Sequence, residues 1–396
     1  MINPDHVPQE PMAAGNRFSA DVVGIVEQTF GSAGGEVLEA LAKPVRTYYV
    51  RCNTLRSSAD ELINRLQTLG FQVKQNSTVP EAIGIQVDGP FQVPQAGERI
   101  IVDKHTAESS LQGANVYAPG ILNCGSMRTG DDVTIVSEFG EIIAVGKAMM
   151  NANDVLTFRK GLAVRNDHPR FIGPHIRDLP EFSQGSLYPQ SLAAMVTVRV
   201  LDPKPGETVV DVSCAPGGKL SHISQLTDNS GKVFGFDRNS GKIGQARRTV
   251  TTLGCKNVVL SVHDSRYLHE DFRDLKADRV LIDPPCSALG LRPKIYDFTT
   301  LDRINRLADY QKQFITAASK IVRPGGVIVY SVCTFTPQEC EEVVKFAEQE
   351  CALQVTGQDP FLASNGLPKY GPSALLCQRF HPHKHEIGYF IAKFTK

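Results

Sequence analysis

From about residue 166 onward the chain alternates short apolar runs with longer amphipathic stretches, and this rhythm constrains its fold more than any other feature. The runs lie at 208–213, 232–237, 258–262, 278–283 and 327–333. Antiparallel neighbours can be joined by a tight turn, whereas parallel neighbours need a long crossover, usually a helix. The spacing therefore predicts an α/β domain on a doubly wound parallel sheet, Rossmann-like in its winding. Such sheets bind ligands beyond the carboxyl ends of their strands. Residues at those ends are the first candidates for chemistry.

The run ending at Asp211 continues as Val212-Ser213-Cys214-Ala215-Pro216-Gly217-Gly218-Lys219. Its glycines let backbone amides approach a ligand closely, and a helix is predicted to open near Lys219. The next run ends in Asp237, an acid placed to bond ribose hydroxyls. Asp264 follows the third run, within reach of an adenine amino group. The turn is neither Gly-x-Gly-x-x-Gly nor a phosphate loop. So few glycines suit S-adenosyl-L-methionine, which has no phosphates to cradle. Ser213 to Lys219, Asp237, Asp264 and Asp283 are the candidate cofactor contacts, and a βα turn with solvated acids is the plain alternative.

Two more run ends carry thiols: Cys286 in Asp283-Pro284-Pro285-Cys286, and Cys333 in Ser331-Val332-Cys333. If these strands are neighbours, two thiols and a carboxylate share one crevice with the cofactor, which suits covalent catalysis. A lone strand-end cysteine is more often a small buried residue. The company of Asp283 and the cofactor turn lifts this pair above that reading. Cys214 and Cys340 read as packing.

Upstream, three textures succeed one another. A helical pattern around Phe18 to Phe30 precedes a strand at 48–53. Ser58 with Glu61 forms a capping-box pattern, Gly70 ends that helix, and 71–73 returns as a strand, giving a small β-α-β unit. A Pro- and Gly-bearing stretch at 87–97 marks a boundary. Short strands at 100–103, 133–136 and 142–145 then predict a small β-barrel. The expected domains are 1–92, an N-terminal α/β region, 93–166, the barrel, and 167–396, the sheet domain.

Composition excludes several classes. The 42 basic and 42 acidic residues cancel, so any nucleic-acid surface must be local. The nine cysteines include no Cys-x-x-Cys pair, which argues against structural zinc and a disulfide framework. No metal is expected, even at His381, His383 and His385, which alternate in a flexible-looking tail. No run approaches the roughly 18 apolar residues of a membrane span. The start, Met1 to Pro8, lacks a signal-peptide pattern. A cytoplasmic protein without a membrane or an obligate protein partner is expected.

The segments Asp211 to Lys219, Asp283-Pro-Pro-Cys286-Ser-Ala-Leu-Gly-Leu-Arg-Pro293 and Tyr330-Ser-Val-Cys333-Thr resemble signatures of Sun-type (Fmu/Nop/Sun) RNA cytosine-C5 methyltransferases. Leu111-Gln-Gly-Ala-Asn-Val-Tyr-Ala-Pro-Gly-Ile121 resembles a PUA domain, an RNA-binding barrel, and Glu386 to Lys396 is similar to the PUA-bearing branch. The resemblance implies S-adenosyl-L-methionine as cofactor and RNA, above all a tRNA acceptor-stem cytosine, as partner. By that resemblance Cys333 is the nucleophile toward carbon 6 and Cys286 assists product release. Asp283 relieves charge at N3 and the 4-amino group, and Lys219 favours thiolate formation or touches substrate. Two departures stand out: Val332 replaces the usual Thr, and Ser213-Cys214-Ala215 replaces the usual Cys-Ala-Ala.

Candidate RNA contacts are Lys104, Asn115 and Tyr117 on the barrel, Arg159 and Lys160 after it, and Arg292 beside the Cys286 loop. Lys294, Arg303 and Arg306 are weaker candidates, because most surface charges are simply solvated. Three rival readings remain at this level. They are a ribosomal RNA substrate, a catalytically silent RNA-binding factor, and DNA methylation, which the PUA resemblance disfavours.

Overall fold

Five parallel strands form the centre of a nine-stranded mixed sheet in the computed structural model, which describes residues 17–94 and 96–396. The proline-bearing start at 1–8 lies outside the described residues. The strand Thr208–Asp211 is flanked by Lys232–Asp237, then Val258–Val262, on one side. Ala277–Ile282 and then Val322–Val332 lie on the other. The winding thus reverses beside Thr208–Asp211, which places the ligand crevice there. All five expected strands are present. The sequence rhythm did not reveal the continuation: Tyr389–Thr395 runs antiparallel to Val322–Val332, followed outward by Gln378–Phe380 and Ser364–Asn365.

Helices cover both faces. Leu301–Ile321 and Glu341–Cys351 bury Phe314, Ile315 and Val343 against Val280, Ile328 and Phe390. Leu192–Leu201, Gly218–Leu226 and Ser240–Thr252 pack Met195, Leu220 and Ile243 among Val209, Leu281 and Val329. Each such aliphatic side chain contributes roughly 1.5–3 kcal/mol on full burial. With both faces covered, the central strands read as continuous apolar runs rather than alternating ones.

The barrel sheet runs Val116–Tyr117, Leu162–Pro169, Ile142–Ala148, Asp132–Ser137, Glu98–Val102, Ile121–Asn123. Its two edge strands are joined by the short turn Ala118–Gly120, so the sheet must curl until its edges almost meet. The N-terminal sheet is antiparallel throughout: Leu187–Pro189, Thr47–Cys52, Ala82–Gln86, Val73–Gln75. The helix Ala59–Thr68 carries the expected capping box. The expected β-α-β unit is therefore split, because Ala82–Gln86 inserts between its strands. Leu187–Pro189, expected with the sheet domain, pairs instead with Thr47–Cys52.

No helix among the described residues is long and apolar enough to cross a membrane. The expected loose histidine tail is a packed turn: the His381 ring lies 5.2 Å from Phe30 and stacks on His383 at 5.7 Å. Burial pushes the His381 imidazole down to about 3.

Candidate active site

Register explains why the reactive groups meet. Ile282 pairs with Tyr330 across parallel strands, so the next residues, Asp283 just past its strand end and Ser331 still within its strand, lie side by side. Ser331 Oγ donates to Asp283 Oδ1 at 3.0 Å. The other carboxylate oxygen lies 2.5 Å from Lys219 Nζ. Tyr389 OH donates to Ser331 Oγ at 3.1 Å and approaches Asp283 Oδ1 at 3.4 Å. Burial alone would lower the Lys219 ammonium, but Asp283 and Tyr389 outweigh it and raise it above the ordinary lysine value. Lys219 is therefore the charged partner of the Asp283 carboxylate.

The thiols meet just beyond. Cys286 Sγ and Cys333 Sγ are 3.2 Å apart and both are partly exposed. Cys286 is pushed well above the ordinary thiol value by its hydrogen bond with Cys333, by burial, and by the negative charge of Glu339. The two sulfurs are within hydrogen-bond reach, and either can donate to the other.

Both thiols line a cavity of about 310 Å³ with Ser213, Ala215, Asp237, Asp264 and Asp283. That volume is within the range of small-molecule sites. The residues present fit S-adenosylmethionine. Ser265 lines the cavity with a buried hydroxyl that has no partner within the protein. Three carboxylates face a space that would hold a sulfonium and a ribose. Asp237 Oδ1 accepts from the Asn239 amide at 2.9 Å, which fixes it at its strand tip. Asp264 is less available than expected, because Arg266 grips both its oxygens at 2.9 and 2.6 Å.

The rest of the turn is held by its own packing. Gly217, at φ +106, caps the helix Gly218–Leu226, and a Cβ on Gly218 would meet the Tyr188 ring at 2.9 Å. Pro216, Gly217, Gly218 and Lys219 do not line the cavity. Cys214 is buried in the core and its thiol is pushed far up by burial and Asp211. Asp211 itself is buried behind the turn. Burial raises its carboxyl to about 7 although the Ser213 amide opposes that shift.

Several expected RNA contacts prove to be engaged within the protein. Arg292 donates to the carbonyls of Lys43, Pro44, Pro382 and Glu386 at 2.8–3.0 Å, so it clips three segments together instead of facing solvent. Arg159, in the left-handed region at φ 47, donates to Ile121 and Pro119 carbonyls. Lys104 meets Asp297 at 3.4 Å and Glu108 at 3.9 Å. Lys294 also pairs with Asp297, at 3.1 Å. Asn115 accepts from the Asn166 amide within the barrel. Tyr117, 57% exposed, and Lys160 remain on the surface.

Sequence reasoning missed Ser331, Tyr389, Ser265 and Glu339. Ser331 was within reach, because it precedes Cys333 by two positions and so shares its face of the strand. Tyr389 and Glu339 carry no local signal.

A doubly wound crevice with a ribose-placed acid and a strand-tip thiol pair defines a methyltransferase using S-adenosylmethionine. Residues 198–395 match the family described as 16S rRNA methyltransferase RsmB/F, and residues 98–169 match the PUA domain. The chain belongs to the RsmB/F methyltransferase family. It is 38% identical over 91% of its length to a tRNA (cytosine(72)-C(5))-methyltransferase of Pyrococcus horikoshii, covering 92% of that protein. It is 28% identical to the human tRNA (cytosine(72)-C(5))-methyltransferase NSUN6, over 91% of this chain and 90% of that one. The crystal structure of NSun6 from Pyrococcus horikoshii with SFG, an S-adenosylmethionine analogue, superposes with TM-score 0.89. That structure is 37% identical, and the match covers 96% of this chain and 98% of the other.

Proposed function

We propose that this enzyme forms 5-methylcytosine at position 72 of tRNA, in the acceptor stem, in the cytoplasm. The carrying observation is the thiol pair 3.2 Å apart beside the Lys219-held Asp283, in a chain that matches a position-72 methyltransferase over 91% of its length. The bound cofactor supplies a methyl group activated by its sulfonium.

Carbon 5 of cytosine is a weak nucleophile until a thiolate adds across the 5,6 double bond. Cys333 Sγ adds to carbon 6, which breaks the 5,6 double bond and leaves carbon 5 electron-rich. Asp283 accepts from the 4-amino group, and Lys219 behind it supplies positive charge as the ring gains electrons. After methylation the carbon 5 proton leaves to water. Its electron pair restores the double bond, and the sulfur departs with the carbon–sulfur pair. Cys286 donates a hydrogen bond to that departing sulfur. Ser213, Asp237 and Asp264 are the proposed cofactor contacts. The target base must leave its stack first, at a cost of a few kcal/mol, and the barrel's Tyr117 and Lys160 are the surface groups proposed to hold the RNA.

Tritiated S-adenosylmethionine with tRNA lacking the modification, followed by bisulfite sequencing, tests this. Label confined to cytosine 72 is expected. Label in ribosomal RNA instead would overturn the substrate, and cofactor binding without any transfer would favour a silent RNA-binding factor. In the same assay Cys286→Ala should trap a denaturation-resistant protein–RNA complex; a trap in Cys333→Ala instead would reverse the thiol roles.

A further inference from the structure

A carboxylate that forms no ion pair among the described residues ties the two thiol loops together. Glu339, fully buried, ends the short turn Pro337–Glu339 that follows the Cys333 strand. Its Oε1 accepts from the Ser287 amide at 2.8 Å and from Gln311 Nε2 at 2.9 Å. Its Oε2 accepts from Ser287 Oγ at 2.5 Å and from Thr336 Oγ1 at 2.9 Å. Ser287 follows Cys286 in the chain and Thr334 follows Cys333. Their hydroxyls meet at 2.8 Å. Gln311 also donates to the Pro285 carbonyl at 3.0 Å.

A buried carboxylate is tolerated only when its lone pairs are satisfied. Four donors do that here, and two of them belong to the residue beside Cys286. The two loops depend on this network unequally. Cys333 continues a strand that is paired on both sides, by Ile282 at Tyr330 and by Phe390 at Val332. Cys286 lies past its strand end in irregular chain, where Ser287 and the Pro285 carbonyl anchor it to Glu339 and Gln311.

We propose that Glu339 is the positioning residue for the thiol pair: it holds the Cys286 loop against the Cys333 strand tip and so governs release of the methylated base. The proposal rests on the thiol roles argued above. Its effect falls on release because the attacking sulfur keeps its place without Glu339, whereas the assisting sulfur does not.

Glu339→Gln keeps the shape but replaces two of the four acceptor sites with donors. The test compares it with Cys286→Ala in first-turnover methyl transfer, steady-state turnover, cofactor and RNA affinity, and the fraction of denaturation-resistant RNA complex. Steady-state turnover should fall about 10- to 100-fold, with affinities and the first turnover little changed and the covalent complex accumulating. The double variant Glu339→Gln/Cys286→Ala should accumulate no more than Cys286→Ala alone. Thr336→Val, which removes one donor, should show the same signature in weaker form and carries the test if Glu339→Gln does not fold. Equal loss in both turnovers without accumulation would overturn the proposal, as would no change at all. A trap in Cys286→Ala without one in Glu339→Gln or Thr336→Val overturns the role of Glu339 alone. No trap in Cys286→Ala overturns the thiol assignment and this role with it.

Discussion

In the crevice, Lys219 and Asp283 meet because each stands at the tip of a strand or the start of the helix that follows, and parallel register brings those tips together. At the seams around the catalytic domain, cations find partners that no local pattern announces. Lys104 of the barrel reaches Asp297, and Arg292 reaches carbonyls on both sides of the chain. Arg51 of the N-terminal sheet, fully buried, donates to Gly218 O at 2.7 Å and to Ser221 Oγ at 2.8 Å, under the cofactor turn. Strand tips present charge to a ligand, and seams absorb it. A basic residue next to a signature segment is therefore poor evidence of RNA contact, while a thiol at a strand tip is good evidence of chemistry.

The sharpest way to break this contrast is to remove one residue from each side. Cys333→Ala should lower methyl transfer by about ten-thousand-fold or more, the scale of losing a nucleophile. Cofactor affinity and thermal stability should barely move. Residual turnover near wild type in a single-turnover assay would remove Cys333 from its role. Arg292→Ala should do the reverse. It strips charge-assisted bonds from four carbonyls and should cost about 3 kcal/mol of stability, read by denaturant unfolding. The salt dependence of RNA binding should stay unchanged. A shallower salt slope with intact stability would return Arg292 to the RNA surface.

The same contrast decides how much was legible beforehand. Strand-helix alternation is written in local periodicity, so the central strands and both thiols followed from the sequence. The edge strands Gln378–Phe380 and Ser364–Asn365 are too short to signal themselves. Glu339, Tyr389 and Gln311 matter through contacts fixed only by tertiary packing, and a glutamate on a turn reads as a solvated charge. Lys104 and Arg292 show the converse, with partners inside the fold that no local pattern announces. Their partners lie far away in the chain, so periodicity and spacing carry no sign of them.

A seam should also make stability depend on pH. His222, fully buried on the helix after the cofactor turn, lies 2.7 Å from Glu81 Oε1, and Arg199 grips the same carboxylate. Burial pushes the imidazole down to about 4, with Glu81 opposing and Arg51 and Arg199 adding to the shift. An unfolded histidine takes its proton near 6.5. As pH falls from there toward 4 the unfolded chain gains a proton that the folded one refuses, so stability drops by up to about 3 kcal/mol and then levels. Glu81, held below the ordinary carboxylate range against its own burial by His222 and Arg199, adds a further loss at lower pH. His222→Gln should flatten the limb between 6.5 and 4 in urea titrations. An unchanged limb would place the sensitivity elsewhere.

The smallest expected effect sharpens the contrast from the barrel side. Lys160 is exposed and forms no ion pair among the described residues, next to Arg159, whose guanidinium is engaged by Ile121 and Pro119 carbonyls. If Lys160 neutralises one RNA phosphate, Lys160→Ala should reduce the slope of log affinity against log salt by about 0.7 to 0.9, with unfolding unchanged. Arg159→Ala should show the opposite pattern, losing stability through two uncapped carbonyls. Adjacent residues of like charge would then separate by function. The separating variable is whether a carbonyl of the fold already occupies the charge, which a fluorescence titration of tRNA at three salt concentrations can read directly.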